Sequence, residues 1–170
     1  MSFGTLLGKT KGNVAVYSNA NAPRKRSKNL FKGQYTGLQY ECVEFARRFL
    51  IAHKQVTFPS VRSATQIWDL KHFVTVDEKK DVPLRHYSPS VAVRPCVGDL
   101  VIFARTNDSP HGHVGVVIGA RRYKEKLFVY ICDQNFTDQP LTHLYNGRMV
   151  ITDDGVTTDR GEVIGIVGSV

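Results

Sequence analysis

The sequence is organised around residues 40–50, Tyr40-Glu41-Cys42-Val43-Glu44-Phe45-Ala46-Arg47-Arg48-Phe49-Leu50. Its apolar and charged residues fall on opposite faces of a helix, so the pattern predicts an amphipathic helix that begins near Tyr40 or Glu41, after Gly37. Cys42 then lies in the first turn, where unpaired backbone N–H groups and the helix dipole favour an anion such as a thiolate. The apolar face consists of Phe45, Ala46, Phe49 and Leu50, and the charged face of Glu44, Arg47 and Arg48.

The length and composition are those of an ordinary globular domain. The chain has 170 residues, of which 42% are hydrophobic and 22% charged, so we expect residues 1–170 to form a single domain without disorder or a fibrous repeat. No apolar run approaches the roughly 20 residues of a membrane helix. The apolar block near Leu6 is short and no basic region precedes it, so we expect no secretory signal and a cytoplasmic location.

The cysteines predict free thiols. Cys42, Cys96 and Cys132 are odd in number and widely spaced, which argues against a disulfide framework and fits a reducing compartment. Cys96 has no histidine near it, and Cys132 lies inside an apolar run. We therefore expect both to be small buried apolar residues.

The formal net charge of +8 raises the question of an acidic partner. The one dense basic run, residues 24–28, lies in the non-periodic segment 18–39, which is typical of a long surface loop. Solvated charge is the favoured interpretation, and binding of an anionic ligand the alternative. No aromatic residues interleave with a basic strand, so we expect no nucleic-acid partner. A catalytically silent fold that binds an acidic partner remains a competing hypothesis.

The order of elements predicts an α+β fold. After a strand at residues 14–17 and the Cys42 helix, Ser63 and Gln66 have capping-box spacing, and Ile67 and Trp68 are expected to pack that second helix into the core. Residues 75–97 are expected to form an extended connection.

The second half of the chain predicts strands. Short β-branched or aromatic runs occur at residues 99–104, 113–118 and 127–132, and the short connections predict an antiparallel meander. Further strands are expected at residues 149–151 and 163–167. Helices therefore come first and an antiparallel sheet second, as in α+β proteins.

Three residues suit cysteine hydrolase chemistry, which needs a thiolate, an imidazole and a polar group that orients the imidazole. Cys42 is the candidate nucleophile. His113 begins the second strand of the meander and Asp133 follows the third, so antiparallel pairing should place them side by side. The alternative for Cys42 is a small buried apolar residue, and His111 competes with His113 as the base.

A metal site is the other chemical alternative. His111 and His113, with Asp133 or Cys132, would make only a partial ligand set, and neither Cys-x-x-Cys nor His-Glu-x-x-His spacing is present. The sequence also lacks a phosphate-binding glycine loop. We therefore expect no metal and no other cofactor.

The sequence resembles the cysteine, histidine-dependent amidohydrolase/peptidase (CHAP) domain, and more narrowly the amidase domain of glutathionylspermidine and trypanothione synthetase/amidases. The resemblance rests on four segments in order and covers nearly the whole chain, loosest after Met149. These segments are Cys42-Val43-Glu44-Phe45-Ala46-Arg47-Arg48-Phe49, Gly98-Asp99-Leu100-Val101-Ile102, Gly112-His113-Val114-Gly115-Val116-Val117 and Asp133-Gln134-Asn135.

This resemblance implies a papain-like cysteine hydrolase fold, with an N-terminal nucleophile helix packed on an antiparallel β-sheet. It implies that Cys42 forms an acyl-enzyme with an amide substrate, while His113 acts as base and then acid. The family has a glutamate before Gln-Asn, whereas this chain has the shorter Asp133. Asn135 is therefore an alternative orienting residue, and the Cys42 backbone N–H is expected to belong to the oxyanion hole.

The resemblance also implies a small-molecule or peptide amide as substrate, with a glutathione–polyamine conjugate as the leading hypothesis. A peptidoglycan amidase or endopeptidase is the alternative. Arg47 lies five residues after Cys42 and is either a surface or packing arginine, or a group that binds a substrate carboxylate.

Overall fold

The computed structural model describes residues 1–170, which form one α-helix, thirteen β-strands and two short 3₁₀ segments. The helix, α1, spans Cys42–Lys54, and no helix is both long and apolar enough to cross a bilayer. The strands are β1 (Leu6–Thr10), β2 (Val14–Tyr17), β3 (Lys28–Phe31), β4 (Gln34–Leu38), β5 (Val56–Thr57), β6 (His72–Thr75), β7 (Asp81–Tyr87), β8 (Leu100–Phe103), β9 (His113–Tyr123), β10 (Lys126–Cys132), β11 (Gly147–Thr152), β12 (Gly155–Thr158) and β13 (Val163–Ser169).

Nine strands form one antiparallel sheet in the order β12-β11-β10-β9-β8-β13-β7-β6-β5. The predicted meander of β8, β9 and β10 is confirmed, as are the strands predicted near Met149 and Val163. β1 pairs with β2 and β3 with β4 in two separate hairpins. The chain therefore has the predicted α+β architecture, with one main helix and a large antiparallel sheet.

The core lies on both faces of the sheet. The apolar side of α1, including Phe45, Phe49 and Leu50, packs into one cluster with inward-facing residues of β8 and β9 such as Leu100 and Val116. Burial of these side chains, at about 1.5–3 kcal/mol each, holds the helix on the sheet. A smaller cluster of Val101, Phe103, Val117, Leu127, Val129, Ile131, Met149, Ile151 and Ile166 fills the opposite face.

The helix begins where the sequence predicts, because Cys42 is its first residue and Glu41 its N-cap. The charged face of the helix is not exposed to solvent. Glu44, Arg47 and Arg48 are all buried, because the β3–β4 hairpin covers Glu44 and Arg47 and the β1–β2 hairpin covers Arg48. Gly37 of β4 permits this close approach: its φ is +144°, and a Cβ there would lie 3.1 Å from the Glu44 Cα.

Two segments interpreted as irregular contain strands. The segment 18–39 contains the β3–β4 hairpin, and the segment 75–97 contains β7, which lies between β13 and β6 inside the large sheet. β7 contains the charged residues Asp81 and Arg85, and Pro83 removes one donor, so its sequence lacks the usual strand pattern. The Pro83 carbonyl still accepts a hydrogen bond from the Val170 N–H at 3.0 Å.

The predicted second helix is a 3₁₀ segment, Ala64–Asp69. Ser63 makes no capping hydrogen bond, and the Gln66 side chain instead accepts from the Arg62 backbone N–H at 2.7 Å. The capping box is therefore absent and the α-helical prediction is wrong. Ile67 is fully buried and the half-buried Trp68 packs against the core, as predicted.

Candidate active site

Cys42 lies at the start of α1, beside a cleft of about 990 Å³. Only 8% of the residue is exposed. As the first helical residue, its backbone N–H has no acceptor within the helix and remains available to a ligand. The cleft is also lined by His113, Asn135, Phe136 and Arg160.

His113 and Asp133 lie side by side, as the sequence predicts. Cys132, the last residue of β10, pairs with Val116 of β9, so Asp133 extends one residue further and lies diagonal to His113 on the same face. The His113 Nε2 and Asp133 Oδ2 atoms are 3.1 Å apart. The aspartate is therefore long enough to reach the imidazole, and its lost methylene leaves a normal hydrogen-bonding distance.

The turn before His113 requires a glycine. Gly112 has φ +67°, and a Cβ there would lie 2.7 Å from the Phe103 carbonyl oxygen and 2.6 Å from the Thr65 Cγ2. The turn is thus pressed against β8 and the 3₁₀ segment. This contact fixes where β9 begins and therefore where the His113 ring lies.

The thiol and the imidazole favour their charged forms. Burial by itself raises the pKa of Cys42, but the charge of His113 and hydrogen bonds from His113 and Val114 outweigh it and lower the pKa. Burial by itself lowers the pKa of His113, but the Cys42 thiolate and Asp133 outweigh it and raise the pKa above 6.5. Since Nε2 faces Asp133, Nδ1 is the ring nitrogen left to exchange a proton with Cys42. The lowered pKa of Cys42 and the raised pKa of His113 favour a thiolate–imidazolium pair.

This charge pair predicts the pH dependence of thiol reactivity. We expect Cys42 to react with iodoacetamide at a pH well below the ordinary thiol pKa of 9.0. The rate should then stay high through neutral and alkaline pH, because loss of the His113 proton near its raised pKa of about 10 leaves the sulfur ionised. The measurement is the rate of Cys42 alkylation between about pH 4 and about pH 10, a range that brackets the reference pKa values of His and Cys.

The matched experiment uses Cys96→Ala as the background, because Cys96 is exposed and would also react. Cys132 does not interfere, since burial raises the pKa of its thiol to about 12. In His113→Ala the pKa of Cys42 should rise, because burial is then opposed only by the hydrogen bond from Val114. An ordinary thiol titration in the Cys96→Ala background would contradict the charge pair.

Asp133 has further partners. Arg160 donates from Nε to Oδ2 at 3.0 Å and from Nη2 to Oδ1 at 3.4 Å. Asn146 holds the backbone of Asp133, accepting from its N–H at 3.0 Å and donating to its carbonyl at 2.9 Å. Burial alone raises the pKa of Asp133, but His113 and Arg160 together lower it, so the carboxyl is ionised.

Phe136 lies beside both cations of the site. Its ring centroid is 5.3 Å from that of His113 and 4.4 Å from the Arg160 guanidinium carbon. The ring is partly exposed at the edge of the cleft. It therefore restricts water around the His113–Asp133–Arg160 contacts while leaving the cleft open.

Behind the thiol, Glu44 forms a buried charged network. Its carboxylate accepts from Arg48 Nε at 2.7 Å and from Gln134 Nε2 at 2.9 Å. Asn29 and Thr36 of the β3–β4 hairpin donate to the same carboxylate. The Gln134 Oε1 accepts from the Tyr17 N–H at 2.9 Å and from Arg48 at 3.2 Å. This network joins α1, both hairpins and the residue after Asp133.

Arg47 is a buried packing residue. Its guanidinium donates to the carbonyl oxygens of Phe58, Thr36 and Pro59 at 3.1, 3.1 and 2.5 Å. It also lines the cleft. Two of its five N–H groups are not used in these bonds, and a substrate carboxylate would have to bind there.

Two other predicted residues stand outside the His113–Asp133 contact. Asn135 donates to the Glu41 carboxylate at 2.7 Å, so the structure does not place it against His113 as an alternative orienting group. His111 is exposed in the turn, and no hydrogen bond joins its side chain to Asp133 or Cys42.

The remaining cysteines divide. Cys132 is buried, as predicted, but Cys96 is exposed and the prediction of burial is wrong for it. Cys96 lies on the loop before β8, and the Arg85 Nη2 is 3.3 Å from its sulfur. No group of three or more His, Cys, Asp or Glu residues is arranged to hold a metal ion.

Arg160 and the partners of Glu44 were not predicted from the sequence. Arg160 comes from the connection between β12 and β13, 27 residues after Asp133, and no spacing rule links the two. Glu44 and Arg48 do stand four residues apart, the spacing of a helical ion pair. That signal predicts the pair but not its burial, which depends on the hairpin.

Comparisons with known proteins agree with the resemblance found in the sequence. A family model described as "CHAP domain" matches residues 33–135. The chain is 31% identical over 148 residues to the bifunctional glutathionylspermidine synthetase/amidase of Escherichia coli, a match covering 82% of this chain and 23% of that protein. It is 27% identical over 164 residues to the trypanothione synthetase of Crithidia fasciculata, covering 92% of this chain and 24% of that protein. The chain spans about a quarter of the length of these relatives.

Proposed function

This chain belongs to the CHAP domain family, and on that premise we propose that it is a thiol amidase that hydrolyses an amide bond through a Cys42 acyl-enzyme. The observation that carries the proposal is the His113–Asp133 hydrogen bond of 3.1 Å in the cleft that Cys42 lines. Nucleophile, base and orienting acid are then present together. We also propose that the helix-on-sheet architecture is papain-like.

In the first half of the reaction, the Cys42 thiolate attacks the amide carbon. The carbonyl oxygen gains negative charge near the start of α1, where the backbone N–H of Cys42 is free to donate to it. The His113 imidazolium then gives its proton to the leaving nitrogen. The C–N bond breaks, the amine departs and the acyl group stays on the Cys42 sulfur.

In the second half, neutral His113 takes a proton from a water molecule, which attacks the thioester carbon. The carbon–sulfur bond breaks, the product leaves as a carboxylic acid that loses its proton to solvent, and the thiolate–imidazolium pair is restored. Asp133 holds the ring through Nε2 in both halves, so that Nδ1 keeps facing the thiol. We assign the orienting role to Asp133, because Asn135 donates to Glu41 instead.

A glutathione–polyamine conjugate is the substrate that we propose. Such a molecule carries carboxylate at one end and ammonium groups at the other, with the scissile amide between them. The cleft contains groups of both signs: Arg26 and Arg62, with Asp108 and Asp159. The remaining N–H groups of Arg47 are a further candidate for the substrate carboxylate. The names of the relatives support the same substrate class.

The test is release of free polyamine from glutathionylspermidine, followed by chromatography. We expect release by the wild type and by Cys96→Ala, and none by Cys42→Ala, because only Cys42 has the imidazole partner. Glutathione amide, which lacks the polyamine, separates amidase chemistry from polyamine recognition. If wild-type protein with a reactive Cys42 releases no polyamine and no ammonia, the substrate class is wrong.

A further inference from the structure

Asp133 is held by a second cation besides His113. The two contacts from Arg160 span both carboxylate oxygens, at 3.0 Å and 3.4 Å. A planar guanidinium in this arrangement defines the plane of the carboxylate as well as its position. Oδ2 is therefore shared between Arg160 and His113, and the carboxylate cannot turn away from the imidazole without breaking the Arg160 contacts.

Arg160 is itself fixed on several sides. It donates to the Asn146 carbonyl at 2.7 Å and to the Asp159 carboxylate at 2.6 Å, and its guanidinium lies over the Phe136 ring. Only 1% of its side chain is exposed. A buried arginine held in this way is an integral part of the site, unlike a surface charge that forms an incidental ion pair.

The proposed reaction creates a need for this second cation. His113 balances the charge of Asp133 only while it is protonated, and it is neutral after it has protonated the leaving amine. Asp133 is fully buried, and a buried carboxylate without a counter-charge is strongly disfavoured. Arginine remains charged at every relevant pH, so Arg160 supplies the counter-charge throughout the cycle.

We propose that Arg160 is a positioning residue that keeps the Asp133 carboxylate ionised and correctly oriented while His113 is neutral. Its catalytic meaning rests on the proposed amidase function. Its effect on the thiol does not rest on that function, because the His113 imidazolium that lowers the Cys42 pKa is itself stabilised by Asp133 whatever the substrate is.

The surroundings of Asp133 are consistent with this role. The charges of His113 and Arg160 lower the pKa of Asp133 against the effect of burial, and Asp133 in turn raises that of Arg160. Besides each other, Asp133 and His113 have four titratable or charged neighbours on the packed elements. These are Cys42 on α1, Cys132 on β10, and Asp159 and Arg160 before β13.

Gly147 leaves the space that Arg160 occupies. A Cβ at this first residue of β11 would lie 2.8 Å from the Arg160 Cζ and 2.9 Å from its Nε and Nη2. Its φ is not positive, so alanine there meets no backbone strain. Gly147→Ala should therefore displace the guanidinium without removing a charge. Gly119→Ala is the matched control, since its Cβ would meet only the Tyr130 ring, at 3.8 Å.

The test measures the pH dependence of Cys42 alkylation in the Cys96→Ala background. Without Arg160, Asp133 takes up a proton at higher pH, His113 loses its anionic partner, and the thiolate is lost at higher pH. In Arg160→Met and Gly147→Ala we expect the acid limb to move up by about one unit, which is about a tenfold loss of rate on that limb. Arg160→Lys keeps the charge without the bidentate contact and should shift the limb less. Gly119→Ala should match the background.

An acid limb at the background pH in folded Arg160→Met and Gly147→Ala overturns the proposal, even if thermal unfolding shows that both are less stable. If Arg160→Met does not fold, Gly147→Ala decides by the same criterion. Because no amide substrate is used, this result is separate from polyamine release: an inactive protein with a shifted limb contradicts the proposed function alone, and an active protein with an unshifted limb contradicts the role of Arg160 alone.

Discussion

His113→Ala is expected to lower kcat/KM for amide hydrolysis by about 10³- to 10⁴-fold, at the upper end of what one acid–base group contributes. The loss is large because His113 has two roles. It lowers the pKa of Cys42, and in the proposed mechanism it protonates the leaving amine. Steady-state polyamine release at pH 7 measures the loss.

His111→Ala is the matched control for this variant. His111 also lines the cleft, two residues away, but it is exposed and bonds to neither Cys42 nor Asp133. Its removal should change kcat/KM by less than the roughly tenfold that a single weak contact contributes. Equal losses in the two variants would contradict the assignment of the base.

The largest effect on stability is expected from Glu44→Ala, at about 3–5 kcal/mol in the free energy of unfolding, because the change leaves the Arg48 guanidinium buried without its anion. Arg48 and Glu44 are both buried in the structure. Gln134, Asn29 and Thr36 also lose their shared acceptor. Urea unfolding followed by circular dichroism gives the value.

Two controls show whether burial of the ion pair is the cause. Glu78 pairs with Lys80 at the surface, so Glu78→Ala should cost only about 0–1 kcal/mol. In the double variant Glu44→Leu with Arg48→Met, no buried charge is left alone, and the loss should be smaller than in Glu44→Ala. A double variant that is less stable than Glu44→Ala would argue against this account.

The parts of the fold that local pattern describes could be predicted from sequence. The meander of β8, β9 and β10 follows from short apolar runs separated by turns, and its register brings His113 to Asp133. The start of α1 at Cys42 follows from helical spacing and Gly37. The predicted site residues lie at the ends of such regular elements, so their proximity could be predicted from the sequence. They are Cys42, His113 and Asp133. Their catalytic roles remain predictions, as does the single-domain organisation of residues 1–170.

The parts that depend on distant segments could not be predicted. The charged face of α1 has the pattern of a solvent-exposed surface, and only the two folded hairpins and Gln134 bury Glu44 and Arg48. Strand β7 has partners on both sides, which compensate for the missing donor of Pro83. Arg160 belongs to a connection without periodicity. Each of these features is decided by tertiary contacts that no local propensity encodes.

The position of Cys42 on the helix, with His113 and Asp133 on the sheet, divides the reactive centre between two pieces of structure that must dock. The thiol becomes acidic only after α1 has packed on β9. A partly unfolded molecule in which α1 has moved away would expose the sulfur and yet react more slowly near neutral pH, the reverse of an ordinary buried cysteine. The reactivity of this one thiol therefore reports on the docking of helix and sheet, and oxidants or electrophiles would preferentially mark the intact protein.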